Sequence, residues 1–170
     1  MAKFPFGGRA MSIVLSISII LGTVLFGLLA GSAVDRGIVS FPARRRIGTI
    51  AWARYSRAAD LGNGLYLYPF LAIAGALAIM AALIAALAGH GPGRLLVPLA
   101  GALLAGLANL GVTIAAAPRM LRIGKTDDRE ELLAPLVEGF VKLSYVRVVL
   151  ITLAFAMALW ALVVGSRLGA

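Results

Sequence analysis

Several polar side chains stand close to the ends of long apolar segments, where they could bind or activate a ligand. In the third apolar segment Asn109 and Thr113 are four residues apart and therefore lie on one helix face. An amide in hydrocarbon needs a partner, so Asn109 either forms an interhelical hydrogen bond or lines a pocket. Arg147 stands just inside the fourth segment. Three roles remain open for Arg147. Its side chain can extend to the headgroups, it can form an ion pair with Asp35 or Asp60, or it can contact an anionic or enolate-like ligand group.

These side chains are predicted to converge on one face of a membrane, because consecutive spanning segments alternate in direction. At this face the first and third segments end, and the second and fourth segments begin. The candidate ligand-binding residues at this face are Asn109, Thr113, Arg147, Tyr145, Tyr68, Arg54, Asp35 and Asp60. For the tyrosines the alternative is an interfacial aromatic belt. Asp60 can pair with Arg57 on its own helix, and Asp35 can pair with Arg147 or Arg119. No catalytic residue is assigned.

The composition places the supporting elements in lipid. The 170 residues are 61% hydrophobic and 14% charged, against about 45–50% and about 25% in soluble domains. Four stretches reach the roughly 20 residues that a bilayer requires, at about 11–34, 65–88, 95–118 and 143–164. We predict an all-α integral membrane protein, a four-transmembrane-helix bundle that forms one domain over residues 1–170. The Gly- and Ala-rich second and third spans are expected to pack tightly together.

Two further helical features are predicted outside these spans. The fourth helix is expected to begin at Pro135, which suits a first helical turn, and therefore to project beyond the bilayer. Residues 42–60 in the first loop predict an interfacial amphipathic helix. Its apolar side carries Ile47, Ile50, Ala51, Tyr55 and Ala58, and its polar side carries Arg45, Arg46, Thr49, Arg57 and Asp60. Arg54 falls within the apolar arc, so it either snorkels to the headgroups or points into the mouth of the bundle.

The charges are divided unequally between the two predicted faces. The net charge is +9, and 12 of the 16 basic residues lie with all seven acidic residues in the two long loops and the adjoining helix ends. Lys3, Arg9, Arg94 and Arg167 lie on the other side. The positive-inside rule then places the long loops in the cytoplasm and both termini outside, in what we expect to be a bacterial inner membrane. The run from Arg44 to Arg46 favours contact with anionic lipid headgroups over nucleic acid.

The rarest residue types exclude several kinds of chemistry. The chain contains no cysteine and one histidine. A disulfide framework, a thiolate zinc site, an iron–sulfur cluster and a metal site with several histidines are therefore excluded. We expect neither a metal nor a cofactor.

The layout also carries short motifs, which are Tyr68-Pro69, Asn109-x3-Thr113-x4-Pro118, Tyr145-x-Arg147 and Leu159-Trp160-Ala161-Leu162. With four spans and a long polar first loop, the chain resembles the anthrone-oxygenase-like family of small four-helix membrane proteins. The resemblance implies cofactor-independent oxidation of a polycyclic phenolic substrate by dioxygen. The family often has an asparagine shortly after the proline that ends the third span. Here Arg119, Met120 and Leu121 follow Pro118, and no catalytic residue is carried over.

Two functions from different classes remain open. One is a membrane protein that binds a hydrophobic small molecule at one mouth of the bundle, as a phenol-oxidising enzyme or as its non-catalytic relative. The other is a structural or accessory subunit of a larger membrane complex, which the small-residue helix faces favour. The expected protein partners are further copies of the chain or other subunits. A transporter is less favoured, because broken helices and paired charges at the membrane midplane are not evident.

Overall fold

The computed structural model describes the backbone of residues 5–90 and 93–166, with the side chains of residues 13–89 and 93–166. Three basic groups used to predict the orientation (Lys3, the Arg9 side chain and Arg167) lie outside the described residues. So do Gly91 and Pro92, which lie between the second and third predicted spans.

Every element in the described part of the chain is helical. The six α-helices are α1 (Pro5–Asp35), α2 (Phe41–Ile47), α3 (Thr49–Asp60), α4 (Gly64–Ala85), α5 (Leu96–Lys125) and α6 (Glu130–Ser166). A π-helical turn, Arg36–Ser40, joins α1 to α2. A wide turn, Ala86–His90, follows α4, and a 3₁₀ turn, Gly93–Leu95, precedes α5.

Four helical segments are long and apolar enough to cross a membrane, namely Ile13–Ile47, Gly64–Gly89, Gly93–Lys125 and Glu130–Ser166. They confirm the predicted all-α class with four apolar helices and indicate an integral membrane protein. Both α1 and α5 pack against α4 and α6, so that the four long helices form a bundle with α1 and α5 at opposite corners.

Small residues of α4 and α5 make room for an aromatic ring of α1. Phe26 is fully buried. A methyl group added at Gly75 of α4 would lie 2.7 Å from its ring, and one added at Gly106 of α5 would also lie 2.7 Å from it. At these two positions the small residues of the second and third spans therefore accommodate a side chain of the first, while α4 and α5 also contact each other directly.

A second apolar core lies beyond the main core of the bundle, to which Phe26, Leu29 and Ile151 belong. In it, Phe41 of α2 and Trp52 of α3 pack on side chains of α5 and α6 that include Ile123, Val137 and Phe140. At about 1.5 Å per residue, the 37 residues of α6 extend about 55 Å. Since the hydrocarbon core of a bilayer is about 30 Å thick, α5 and α6 are long enough to carry this second core outside it.

Several helix boundaries differ from the prediction. The helix predicted at 42–60 is interrupted at Gly48, whose φ of 85° and ψ of 161° are open essentially to glycine alone. Its first part, α2, continues the first span, and only α3 is a separate helix. The fourth helix begins at Glu130, so Pro135 lies inside it rather than in its first turn. Helix α5 continues through Pro118 to Lys125.

The difference from the expected pattern of α3 lies on its polar side, where Asp60 is buried. Trp52, Ala53, Ser56 and Asp60 are buried, whereas Tyr55 is 59% exposed and Ile47, in the preceding helix, is 52% exposed. The side predicted to be apolar lies mostly outward, where an interfacial helix contacts lipid, although Ile50 packs on the second core. The buried side of α3 is mixed and includes the Asp60 carboxylate. The physical reason is the indole of Trp52, which fills the space next to Phe41 and Phe140 with ring centroids 6.4 and 6.2 Å apart.

Candidate functional site

A polar cavity lies where the two apolar cores meet. Its volume is about 30 Å³, enough for one or two water molecules. Leu29 and Ile151 of the main core form one side, and Phe41 of the second core forms another. Its polar lining consists of Ser32, Arg36, Tyr68, Asn109, Ser144 and Arg147. All four long helices and the π-helical turn thus contribute to this cavity.

Arg36 is held firmly at the edge of the cavity. Its Nη2 donates a hydrogen bond to Oδ2 of Asp60 at 2.6 Å, and the Ser56 hydroxyl donates to the same carboxylate oxygen. The guanidinium also lies 5.5 Å from the ring centroid of Tyr68 and 5.9 Å from that of Phe41, within cation–π range. The ion pair and the two rings therefore fix the position of the Arg36 charge.

Arg147 faces the same space without such a partner. Its Nε is buried and has no hydrogen-bond partner, and none of the ion pairs among the described residues involves it. The site therefore holds two guanidinium groups and the single carboxylate of Asp60. An unpaired cation in a low-dielectric environment costs several kcal/mol.

The Asn109 side chain also faces the cavity. Asn109 is only 2% exposed, and no described residue forms a hydrogen bond with its side-chain amide. Thr113, one turn later, donates its hydroxyl proton to the Asn109 backbone carbonyl at 2.8 Å. Ser144 similarly donates to the Phe140 carbonyl at 2.9 Å. The two hydroxyls are thus satisfied within their own helices, whereas the amide remains available for a ligand.

A larger apolar cleft extends from this region between α4 and α5. Its volume is about 160 Å³, and Arg36, Asp60, Tyr68 and Arg147 form its polar inner end. The remaining wall is mostly apolar and includes Leu65, Pro69, Thr113, Ala117, Met120 and Leu121. Leu65 and Leu121 are 46% and 50% exposed, so the cleft opens on the outer apolar surface of the bundle.

The structure brings five of the eight predicted site residues to these two spaces. Asn109, Arg147 and Tyr68 line the polar cavity, while Thr113 and Asp60 join Arg147 and Tyr68 around the cleft. Asp35 lies to one side, exposed, and lines a separate cavity of about 100 Å³ that also borders Arg36 and Asp60. Tyr145 and Arg54 lie elsewhere.

The ion pairs differ from those expected. Asp60 pairs with Arg36 rather than with Arg57, and Asp35 pairs with neither Arg147 nor Arg119 among the described residues. Arg119 is exposed and donates to the Ala115 carbonyl of its own helix at 3.0 Å. The expected pair of Asp60 with Arg57 is wrong because the break at Gly48 and the orientation of α3 turn Asp60 toward Arg36.

Tyr145 and Arg54 have structural contacts outside the cavity. The Tyr145 hydroxyl donates to the Gly37 carbonyl in the π-helical turn at 3.2 Å, and its ring packs edge-on against Phe41. Arg54, 67% exposed, donates from Nε to Oδ2 of Asp128 at 2.6 Å. It meets a carboxylate, but on the outside of the protein rather than in the mouth of the bundle.

The same Asp128 helps to attach α3 to the end of α5. Arg57 reaches Oδ1 of Asp128 at 2.6 Å and also donates to the carbonyls of Ile123 and Thr126 at 3.0 and 2.6 Å. These carbonyls lie at the end of α5, where no following turn supplies an amide partner. The hydrogen bonds from Arg57 and Arg54 lower the pKa of the Asp128 carboxyl below its ordinary value.

Three polar residues of the cavity were not among the eight candidate ligand-binding residues, namely Ser32, Arg36 and Ser144. A helical spacing in the sequence could have indicated these residues. Leu29, Ser32, Ala33 and Arg36 follow one another at intervals of three, one and three, and Ser144, Arg147, Val148 and Ile151 at intervals of three, one and three. Each set lies on one helix face. The sequence did not indicate which face was turned inward.

Comparison with known proteins adds no assignment. No protein-family model, curated protein or solved structure matches the chain. Within the described residues there is also no group of three or more His, Cys, Asp or Glu side chains placed to hold a metal ion. The chemistry of the site is therefore that of two guanidiniums, an amide, a phenol and a carboxylate beside an apolar cleft.

Proposed function

We propose that this chain is a small polytopic membrane protein that binds a hydrophobic small molecule at the end of the bundle where α3 packs. The observation that carries this proposal is the cavity shared by Asn109 and Arg147, which come from different helices. A few convergent polar groups beside a largely apolar space are typical of small-molecule sites. Here the amide and the guanidinium supply those groups.

The cleft between α4 and α5 provides the apolar part of the site. Its volume of about 160 Å³ is close to the roughly 150 Å³ cavity that accommodates benzene in another protein. One aromatic ring, or a short stretch of alkyl chain, therefore fits inside. A larger molecule would extend through the opening beside Leu65 and Leu121.

The resemblance to the anthrone-oxygenase-like proteins extends this proposal to catalysis of phenol oxidation by dioxygen without a cofactor. Such a reaction benefits from fixed positive charge near the oxygen that becomes a phenolate. Arg36 and Arg147 supply two such charges, and Tyr68 adds a hydroxyl group. Turnover of an anthrone by the purified protein, with consumption of dioxygen, would distinguish an enzyme from a non-catalytic binder.

The binding proposal can be tested with a single fluorescent reporter. The chain has two tryptophans. Trp52 is 2% exposed and packs on Phe41, which lines the cavity, whereas Trp160 is 48% exposed. In a Trp160→Phe background in lipid nanodiscs, titration with 4-butylphenol should produce a saturable change in Trp52 emission. The change should be larger than in the same protein carrying Asn109→Leu.

The matched control is Arg119→Ala. Arg119 is exposed and bonds only to its own helix among the described residues, so its loss should leave 4-butylphenol binding unchanged. Arg147→Ala should weaken binding about tenfold, the effect of losing one hydrogen bond to a charged group. Binding that is not saturable, or that falls equally in both variants, would contradict the proposal.

The alternative is a non-catalytic structural or accessory subunit of a larger membrane complex. The row of exposed apolar residues on α1, which includes Ile13, Ile17, Ile20, Val24 and Leu28, supports it, since such a face can meet either lipid or another helix. Purification in a mild detergent decides between the two. Stoichiometric recovery of other chains, together with no binding of 4-butylphenol, would favour the subunit.

We further propose that the long loops face the cytoplasm of a bacterial inner membrane and contact anionic headgroups. Arg44 and Arg45 border a pocket of about 300 Å³ that is walled by Phe41, Pro42, Val141 and Tyr145. Arg44 Nε is buried, and no described residue forms a hydrogen bond with it. Because the chain has no cysteine, a cysteine placed at the exposed Asp127 should resist a membrane-impermeant maleimide in spheroplasts, and one placed at Arg94 should react.

A further inference from the structure

The balance of charge around Arg147 indicates what kind of molecule the site takes. Arg36 and Asp60 neutralise each other at 2.6 Å. Arg147 lines both the polar cavity and the cleft, yet its buried Nε has no hydrogen-bond partner among the described residues. Asp35 borders neither of these two spaces. The site is therefore short of one negative charge.

From this deficit we infer that the ligand is an amphipathic anion that binds with its charged oxygen group at Arg36 and Arg147 and reaches the site from the bilayer. The inference rests on the proposed binding function and adds the charge of the ligand and its route. The chemical class is a carboxylate, a phosphate or a phenolate that carries an apolar tail. A guanidinium presents parallel N–H donors that match such oxygens.

The contacts of Arg36 fix its guanidinium before a ligand arrives. The aromatic rings of Tyr68 and Phe41 and the Asp60 carboxylate already hold its guanidinium in place. An arriving anion would therefore meet one preorganised cation and one unpaired cation, with little side-chain entropy left to lose. The Asn109 amide, which faces the same cavity, can donate a further hydrogen bond.

The route follows from where the cleft opens. Leu65 and Leu121 at its rim are about half exposed, and the neighbouring Ile114 on α5 is 74% exposed. This is the apolar outer surface that a spanning helix turns toward hydrocarbon. An apolar tail can therefore remain in the lipid or the cleft throughout entry, while the charged group moves to the guanidiniums at the inner end.

The test uses three probes that separate charge from hydrophobicity. They are 4-butylbenzoate, the neutral 4-butylbenzyl alcohol of similar shape, and benzoate, which lacks the tail. Binding is measured by Trp52 emission in phosphatidylcholine nanodiscs with the Trp160→Phe background. We expect 4-butylbenzoate to bind at least about tenfold more tightly than either of the other two, since a hydrogen bond to a charged group contributes more than one to a neutral group.

Arg147→Gln should abolish the preference for the anion, because it should weaken 4-butylbenzoate binding more than binding of the neutral alcohol. Arg119→Gln should change neither. Because Arg147→Gln removes an uncompensated charge, it should also keep or raise the thermal stability of the ligand-free protein, which shows that the variant folds. If the alcohol binds as tightly as the benzoate, or if Arg147→Gln weakens both equally, the inference is wrong while the proposed binding function stands. If no probe binds, both are wrong.

The route is tested with a bulky residue at the rim of the cleft. Ala117 is exposed and lines the cleft, whereas Ile114 is exposed but does not line it. Ala117→Trp should slow association of 4-butylbenzoate about tenfold, and Ile114→Trp should not. Equal rates in the two variants would overturn entry through this cleft.

Native mass spectrometry after addition of phosphatidylglycerol distinguishes two sources of the anion. If a lipid phosphate occupies the site, the wild type should retain one more lipid than Arg147→Gln. If a free amphipathic acid occupies it, both should retain the same number, and 4-butylbenzoate should still discriminate between them. The inference would be overturned if the wild type and Arg147→Gln retained the same number of lipids and also bound 4-butylbenzoate equally.

Discussion

Arg36 and Asp60, 24 residues apart in sequence, form an ion pair of 2.6 Å between the end of the first long helix and the end of α3. The side chains are only 20% and 8% exposed. This contact joins the main bundle to the smaller α2–α3 unit and forms the floor of the cleft. The charge that remains unpaired beside it belongs to Arg147.

Replacement of Asp60 by asparagine should destabilise the protein, because it leaves Arg36 in a largely buried place without its carboxylate. Loss of one partner of a buried pair costs about 3 kcal/mol. The midpoint of thermal unfolding in detergent should fall accordingly. Glu138→Gln is the control, since it breaks an exposed pair with Lys142 that contributes at most about 0.5 kcal/mol. Similar shifts in the two variants would show that the Arg36–Asp60 pair adds little.

The Asp128 carboxylate should make stability depend on pH in the acid range. Arg57 and Arg54 lower its pKa in the folded protein below the ordinary value of 3.8. The unfolded chain therefore binds this proton more readily, so the contribution is present above about pH 4 and is lost as the pH falls through the folded pKa. The stability difference between wild type and Asp128→Asn should be constant at neutral pH and should shrink below about pH 4. A stability difference that stays constant down to about pH 3 would contradict this account.

A methyl group at Gly75 should disrupt the centre of the bundle. It would lie 2.7 Å from the ring of Phe26, which is fully buried. Overpacking of this kind costs about 1–3 kcal/mol, and unfolding in detergent measures it. Gly111→Ala is the matched control, because no atom lies within 4 Å of its added methyl group. A neutral Gly75→Ala would mean that α1 and α4 can move apart freely.

Alanine at Gly48 should destabilise the protein through the backbone conformation and not through a steric contact. No atom lies within 4 Å of an added methyl group, but its φ of +85° is strained for any residue with a Cβ. Gly48→Ala should cost about 1–3 kcal/mol and shift α3, which weakens the Arg36–Asp60 contact. Gly31→Ala, at an equally open but helical position, should be neutral or slightly stabilising. A difference smaller than the error of the unfolding measurement would contradict this account of the α2–α3 break.

The sequence by itself determined the class of protein and the end of the bundle that carries the polar groups. Length and hydrophobicity of a segment are local properties, so the four apolar helices could be located without a fold. The alternation of spans then placed Asn109, Tyr68, Asp60 and Arg147 at one end.

Only the tertiary structure decided which of these groups face one another. Amphipathicity identified two sides of the helical segment after the first span, but an outward apolar side can face lipid as readily as an inward one can face protein. The Gly48 break and the packing of Trp52 turned Asp60 toward Arg36 and left Arg57 to bind Asp128. As a result, Arg147 has no counter-ion among the described residues. Ion pairing depends on helix rotation and on distances across the bundle, and neither can be read from the spacing of residues along one helix.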